Sequence, residues 1–84
     1  MTNDDIHRAI LAELARIAPE ADLVHLDAAA DLRDALDLDS MDILHLAQAL
    51  HASLGVDVPE GDYAKIVTLR GCEAYVAAHA PRAP

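Results

Sequence analysis

The sequence predicts a small all-α protein: a four-helix bundle of three longer helices and one short one, with a long loop between the first and second helices. Three observations predict it. Apolar residues recur at spacings of three and four in three separate segments, as in helices with one buried face. Gly, Pro and cap-forming residues stand where those segments begin and end. Strand signals, the alternation of apolar and polar residues, are absent. Eighty-four residues allow one small core, since a chain of this size buries only a little over ~60% of its unfolded surface. The expected organisation is one domain over residues 1–80 with a frayed tail at 81–84, where Pro81 and Pro84 stand.

The first helix is expected from Asn3 to Ile17. Asn3 can cap it, Asp4 and Asp5 suit the positive end of its dipole, and Arg16 suits the other end. Ile6, Ile10, Leu14 and Ile17 make its apolar stripe, and Pro19 ends it. The connection from Ala18 to Asp39 is anchored by Leu23, Leu26, Leu32, Leu36 and Leu38, with a helical turn expected between Ala28 and Leu36. Unstructured connections beyond ~12–15 residues are uncommon unless functional, which singles this one out. The second helix, Ser40 to Leu54, carries Ile43, Leu46, Ala47, Leu50 and Leu54 on one face, and Gly55 stops it. Val56, Val58 and Pro59 read as an extended connector. Gly61 to Ile66 is long enough for one short helix. The last helix runs from Thr68, its cap, to His79 and buries Leu69, Cys72 and Val76. Gly71 weakens its first turn by roughly 1 kcal/mol relative to Ala. Tyr63 and Tyr75 are expected to pack with wet hydroxyls, and Cys72 to serve as a small core residue.

The formal net charge of −9 argues against binding nucleic acid, where a basic face supplies most of the affinity. It argues equally against anionic membrane surfaces, and no apolar stretch is long enough for membrane insertion. The single Cys72 and the acidic start, Met1 to Asp5, suggest a reducing, cytoplasmic location. Positively charged partners are the natural expectation. The charge is concentrated. From Glu20 to Asp42 stand eight acids against one base, Arg33, a net −7, while the other 61 residues carry −2.

The junction Asp37-Leu38-Asp39-Ser40-Met41-Asp42 places a hydroxyl between carboxylates at a helix N-terminus. Unpaired amides and the positive dipole end make such a place a good seat for a phosphate ester. Ser and Asp are also the commonest helix caps, so the hexapeptide taken alone reads first as a purely structural helix start. No base is placed to activate Ser40 as a hydrolytic nucleophile, and no catalytic residue is expected. A zinc site from Asp42 and His45 lacks further ligands at a usable spacing, so no metal is expected.

The stretch Asp39-Ser40-Met41-Asp42-Ile43-Leu44, then Leu54-Gly55-Val56-Asp57-Val58-Pro59, then Lys65-Ile66-Val67-Thr68-Leu69, closely resembles the acyl carrier proteins. That family has Asp-Ser-Leu at the start of its second helix, an aliphatic Gly-Ile-x-Ile-Pro connector, and Lys-Ile-x-Thr leading into the last helix. The pieces fall here in the same order and spacing, over about Asp37 to Val76. The resemblance implies that Ser40 carries 4′-phosphopantetheine, attached from coenzyme A by a phosphopantetheinyl transferase with Mg²⁺, and performs no catalysis itself. Asp39 and Met41 would flank the attachment point as the recognition motif. Asp39, Met41, Asp42 and Leu44 would contact partners, with Met41 and Leu44 exposed. Leu46, Leu50, Leu54 and Ile66 would line the core or an acyl cavity.

Two departures matter. Met41 replaces the usual Leu, a volume-conserving change. The Glu residues common on the family's second helix are replaced here by His45, His51, Ala52 and Ser53, so that only Asp42 is acidic between Met41 and Leu54. His45 and Gln48 share the outer face, where they can read a particular partner. The implied protein is a specialised, discrete, monomeric acyl carrier serving acyl-loading and acyl-using enzymes with basic or mixed docking patches. An aminoacyl or peptidyl carrier with the same arm, or an unmodified carrier-like interaction module, are the alternatives.

Overall fold

The structure, a computed structural model, describes residues 2–80. The tail expected at 81–84 lies outside the described residues. The architecture is the small helical bundle that the periodicity predicts: α1 (Asn3–Ile17), a single turn α2 (Leu32–Ala35), α3 (Ser40–Leu54), a 3₁₀ segment (Glu60–Ile66) and α4 (Leu69–His79).

Helix α1 starts one residue differently from expectation. Thr2, not Asn3, is the cap: its hydroxyl accepts from the Asp5 amide at 3.1 Å, and the Asp5 carboxylate accepts from the Thr2 amide at 3.2 Å. Two orphan donors are satisfied reciprocally, which leaves Asn3 inside the helix. The bonds from Thr2 hold the Asp5 carboxyl below the usual carboxylate range. Ile6, Ile10 and Leu14 are buried, and Ile17 is half-buried at the end of the stripe. Glu13 is buried too, an acid on the apolar stripe. The Ser53 hydroxyl of α3 donates to it at 2.9 Å, and Arg16 lies 3.7 Å away.

The long connection is held at its far end by backbone bonds to the start of α4. The Leu32 amide donates to the Val67 carbonyl at 2.7 Å and the Arg70 amide to the Ala28 carbonyl at 2.9 Å, around an isolated bridge between Asp31 and Thr68. This pairing of remote residues is not visible as a strand pattern. The helical turn expected between Ala28 and Leu36 is α2, capped by Asp31, whose side chain accepts from the Arg33 amide at 2.9 Å. Leu32 is fully buried, whereas Leu23, Leu26, Leu36 and Leu38 are half-buried against the core.

Helices α1, α3 and α4 close on a core in which Ile10, Leu14, Leu46, Leu50, Ile66, Cys72 and Val76 are sealed from solvent. Gly55 ends α3 in the left-handed region at φ 69°, its amide reaching the His51 carbonyl at 3.0 Å, a conformation that favours glycine. Val56 and Val58 bury the connector. The short helix expected over Gly61 to Ile66 is present as the 3₁₀ segment, one residue longer at its start. Thr68 caps α4, accepting from the Gly71 amide at 2.9 Å. Gly71 is more than a weak point in the helix. A Cβ there would lie 2.5 Å from the Lys65 carbonyl oxygen, so glycine is what lets the 3₁₀ segment approach α4.

Two polar pairs fasten this side. The Tyr75 hydroxyl donates to Asp62 at 2.8 Å, correcting the expectation of a wet hydroxyl, and Tyr75 itself is buried. His7 of α1 meets Glu73 of α4 at 2.5 Å. His79 stacks on the Tyr75 ring with centroids 4.1 Å apart. Burial pushes the Cys72 thiol up to about 12, as suits an inert core residue.

Candidate functional site

The N-terminus of α3 is built by two local devices. The first precedes it. Helix α2 ends in a left-handed residue, Asp37 at φ 55°, after which the Leu38 amide returns to the Arg33 carbonyl at 2.9 Å. This is a Schellman-type stop with Asp in place of the usual Gly; Asp tolerates the conformation better than most side chains. It turns the chain so that Leu38 packs on the core just before Asp39.

The second device is a capping box. The Asp39 carboxylate accepts from the Asp42 amide at 3.0 Å, and the Asp42 carboxylate accepts from the Asp39 amide at 3.1 Å. Both acids that flank Ser40 therefore turn an oxygen back onto the helix start and fix its geometry. Ser40 is the first helical residue, exposed, with its hydroxyl free of protein partners among the described residues. The amides of Ser40 and Met41 fall in the first turn, where no preceding carbonyl of the helix can reach them. An exposed hydroxyl beside unpaired amides at a positive dipole end fits a phosphate ester chemically. Among the described residues no three His, Cys, Asp or Glu side chains converge to hold a metal ion.

The remaining expected site residues lie along the first half of α3. Met41 is 55% exposed, and His45 and Gln48 are exposed beyond it. Leu44 is half-buried, which corrects the expectation that it stands free. It follows the buried Ile43 by one residue, so the helical turn carries it partly toward the core side. Leu46, Leu50 and Ile66 are core residues, and Leu54 packs half-buried beside them.

Periodicity alone did not reveal the shape of the acidic block. It folds around one open cleft of about 700 Å³, between the end of α1, the long connection, α2 and the start of α3. Leu26, Leu36 and Leu38 supply apolar lining, and Glu20, Asp22, Asp27, Asp37 and Asp42 supply acids. The one base of the block is already engaged. Arg33 forks onto Asp31 at 3.0 and 2.6 Å, which holds the Asp31 carboxyl below its ordinary range. His25 meets Asp22 at 2.7 Å. Val24, not singled out by the sequence, is 89% exposed in the same loop.

A three-helix core with a short fourth element, and a capped helix that presents a free serine hydroxyl, define a small helical bundle with one exposed junction at the start of α3. Comparison with known proteins places it more closely. Residues 8–76 match the family model described as the phosphopantetheine attachment site, and the chain belongs to that family. It is similar to an acyl carrier protein of Campylobacter hominis, 26% identical over 69 residues that cover 82% of each chain. The cofactor of the family is 4′-phosphopantetheine, covalently attached, and the protein is a carrier that works with a phosphopantetheinyl transferase and biosynthetic enzymes.

Proposed function

We propose that Ser40 is the attachment residue and that the protein is an acyl carrier, delivering thioester-bound acyl intermediates between separate biosynthetic enzymes. The observation that carries this reading is Ser40 itself: exposed, first in α3, with an unengaged hydroxyl between the paired caps Asp39 and Asp42. The other serine, Ser53, spends its hydroxyl on buried Glu13. In the attachment step Ser40 Oγ displaces adenosine 3′,5′-bisphosphate from coenzyme A at the pantetheine-bearing phosphorus, and the hydroxyl proton leaves to the transferase. The arm, once in place, supplies a thiol that holds cargo as a thioester.

This chain's own residues hold the attachment point and present a docking face. Asp39 and Asp42 fix the first turn, so that Ser40 is offered at a defined angle. Met41, His45 and Gln48 form the adjoining outer surface, with Leu44 at its edge. The likeness to an acyl carrier protein favours acyl over aminoacyl cargo. The experiment has two stages, both read by intact mass. Coenzyme A and a broad-specificity transferase should add one phosphopantetheinyl group to the wild type and none to Ser40→Ala. The converted protein is then offered medium-chain fatty acids and ATP with an acyl-activating ligase, or amino acids and ATP with an adenylating enzyme. Acylation is expected; aminoacylation alone would overturn the acyl reading.

A further inference from the structure

We propose that the loaded arm rests in the open cleft beneath the long connection, with an uncharged acyl chain against Leu26, Leu36 and Leu38, and not inside the helical core. The inference rests on Ser40 being the attachment residue. Leu38, two residues before Ser40, and Asp42, two residues after it, both line the cleft, so a group anchored on Ser40 starts at its edge. A tether of that kind keeps the local concentration of cargo beside the cleft high, and weak contacts then suffice to hold it.

The core and the cleft differ in readiness. Leu46, Leu50 and Ile66, which the family resemblance would place around an acyl cavity, have no exposed surface. An acyl chain entering among them must push apart side chains that already fill the space, at the cost of an overpacked interior. The cleft, about 700 Å³, is open without rearrangement, as small-molecule sites usually are. Nine of the fifteen residues that line it are apolar, and Ile17, Leu26, Leu36 and Leu38 among them are half-buried. Their uncovered surface is apolar area still in water, which an acyl chain removes. The polar part of the lining sets the chemistry of the cargo. The carboxylates of Asp22, Asp27, Asp37 and Asp42 accept hydrogen bonds, so they suit the amide N–H groups of the arm. The same carboxylates repel a cargo that itself ends in a carboxylate. A neutral, linear acyl chain satisfies both parts of the lining.

The test loads the wild-type chain from coenzyme A thioesters with a broad-specificity transferase. One sample carries an isotope-labelled octanoyl group, the other the same chain ending in a carboxylate. Isotope-filtered NMR should show nuclear Overhauser contacts from the octanoyl methylenes to the Leu26 and Leu36 methyls, and none to Leu46, Leu50 or Ile66. Backbone amide shifts of the cleft-lining residues should move beyond the change that the arm alone causes. The carboxylate-ended chain should leave them where the arm alone does. Leu36→Ala should reduce the octanoyl-induced shift at Leu26 about twofold, because it removes part of the apolar wall. Val24→Ser, exposed in the same connection, should leave that shift unchanged. Thermal melts confirm that both variants are folded. Contacts to Leu46, Leu50 or Ile66, equal behaviour of the two cargoes, or no contact between the octanoyl chain and the protein would overturn the proposal. Absence of any adduct, or an adduct elsewhere than on Ser40, strikes the attachment reading instead.

Discussion

The α1–α3–α4 core and the long connection from Ala18 to Asp39 are built on different physics. In the core, large aliphatic side chains are sealed from water, and its one buried acid, Glu13, is bonded by Ser53. In the connection, four leucines stop half-buried, the acids other than Asp31 stay exposed, and the chain is tied to the start of α4 by backbone bonds from Leu32 and Arg70. The core supplies stability through area removed from water. The connection gives up part of that gain and keeps its charge in solvent, an arrangement suited to contact with another protein. The same division separates the two serines. Ser53, itself exposed, commits its hydroxyl to the buried Glu13, whereas Ser40 stands with its hydroxyl unengaged where the connection hands over to α3.

The largest effect expected from this division is at Leu50. Leu50→Ala should cost about 2–5 kcal/mol, because a fully buried side chain leaves a cavity that its neighbours fill only in part. Leu36→Ala, in the half-buried loop, should cost no more than about 1–2 kcal/mol, having less transfer energy to lose. Urea titration of both variants checks the ratio, and equal costs would break the comparison. Gly71→Ala comes next. In an isolated helix the change gains up to ~1 kcal/mol. Here the added methyl meets the Lys65 carbonyl at 2.5 Å, and a net loss of about 1–3 kcal/mol is expected by the same titration.

The Tyr75–Asp62 bond gives the core side a pH signature. The Tyr75 hydroxyl holds the Asp62 carboxyl below its ordinary range, and Asp62 raises the Tyr75 hydroxyl above its own. A depressed carboxylate stabilises fully above its unfolded pKa and loses that contribution as pH falls through the folded value. A raised phenol contributes fully below its unfolded pKa and loses it as pH rises through the folded one. The stability gap between wild type and Tyr75→Phe should therefore be flat across neutral pH and narrow below about 4 and above about 10. Melting temperatures across that range measure it. The smallest effect belongs to the connection: added salt should raise the melting temperature by a few degrees, by screening the −7 of Glu20 to Asp42. The variant Asp22→Asn, Asp27→Asn should respond less.

The sequence revealed these regions unequally. The spans of α1 and α3, the Gly55 stop and the Thr68 cap follow from local spacing and cap chemistry, and the structure has them within a residue. The cap of α1 went to Thr2 because Asp5, three residues on, completes a reciprocal box; Thr-x-x-Asp carried that signal. Glu13 also left a trace, falling three residues after Ile10 on the buried stripe. The tie of Leu32 to Val67, the fit of Gly71 against Lys65 and the bond from Tyr75 to Asp62 left none. Each joins residues whose proximity arises only after the helices pack. At the candidate site, the junction around Ser40 was legible because its capping geometry is local. The cleft was not, since its walls come from four separate elements. Leu44 lies deeper than expected, because one residue's rotation on a helix decides exposure and a family resemblance does not specify it.

The most direct test of the central claim is to locate the adduct. After modification with coenzyme A and a transferase, the protein is digested and the peptides are fragmented by tandem mass spectrometry. The phosphopantetheinyl group should map to Ser40 in every modified molecule, with Ser53 unmodified. An adduct on Ser53, or one that persists in Ser40→Ala, would contradict the account.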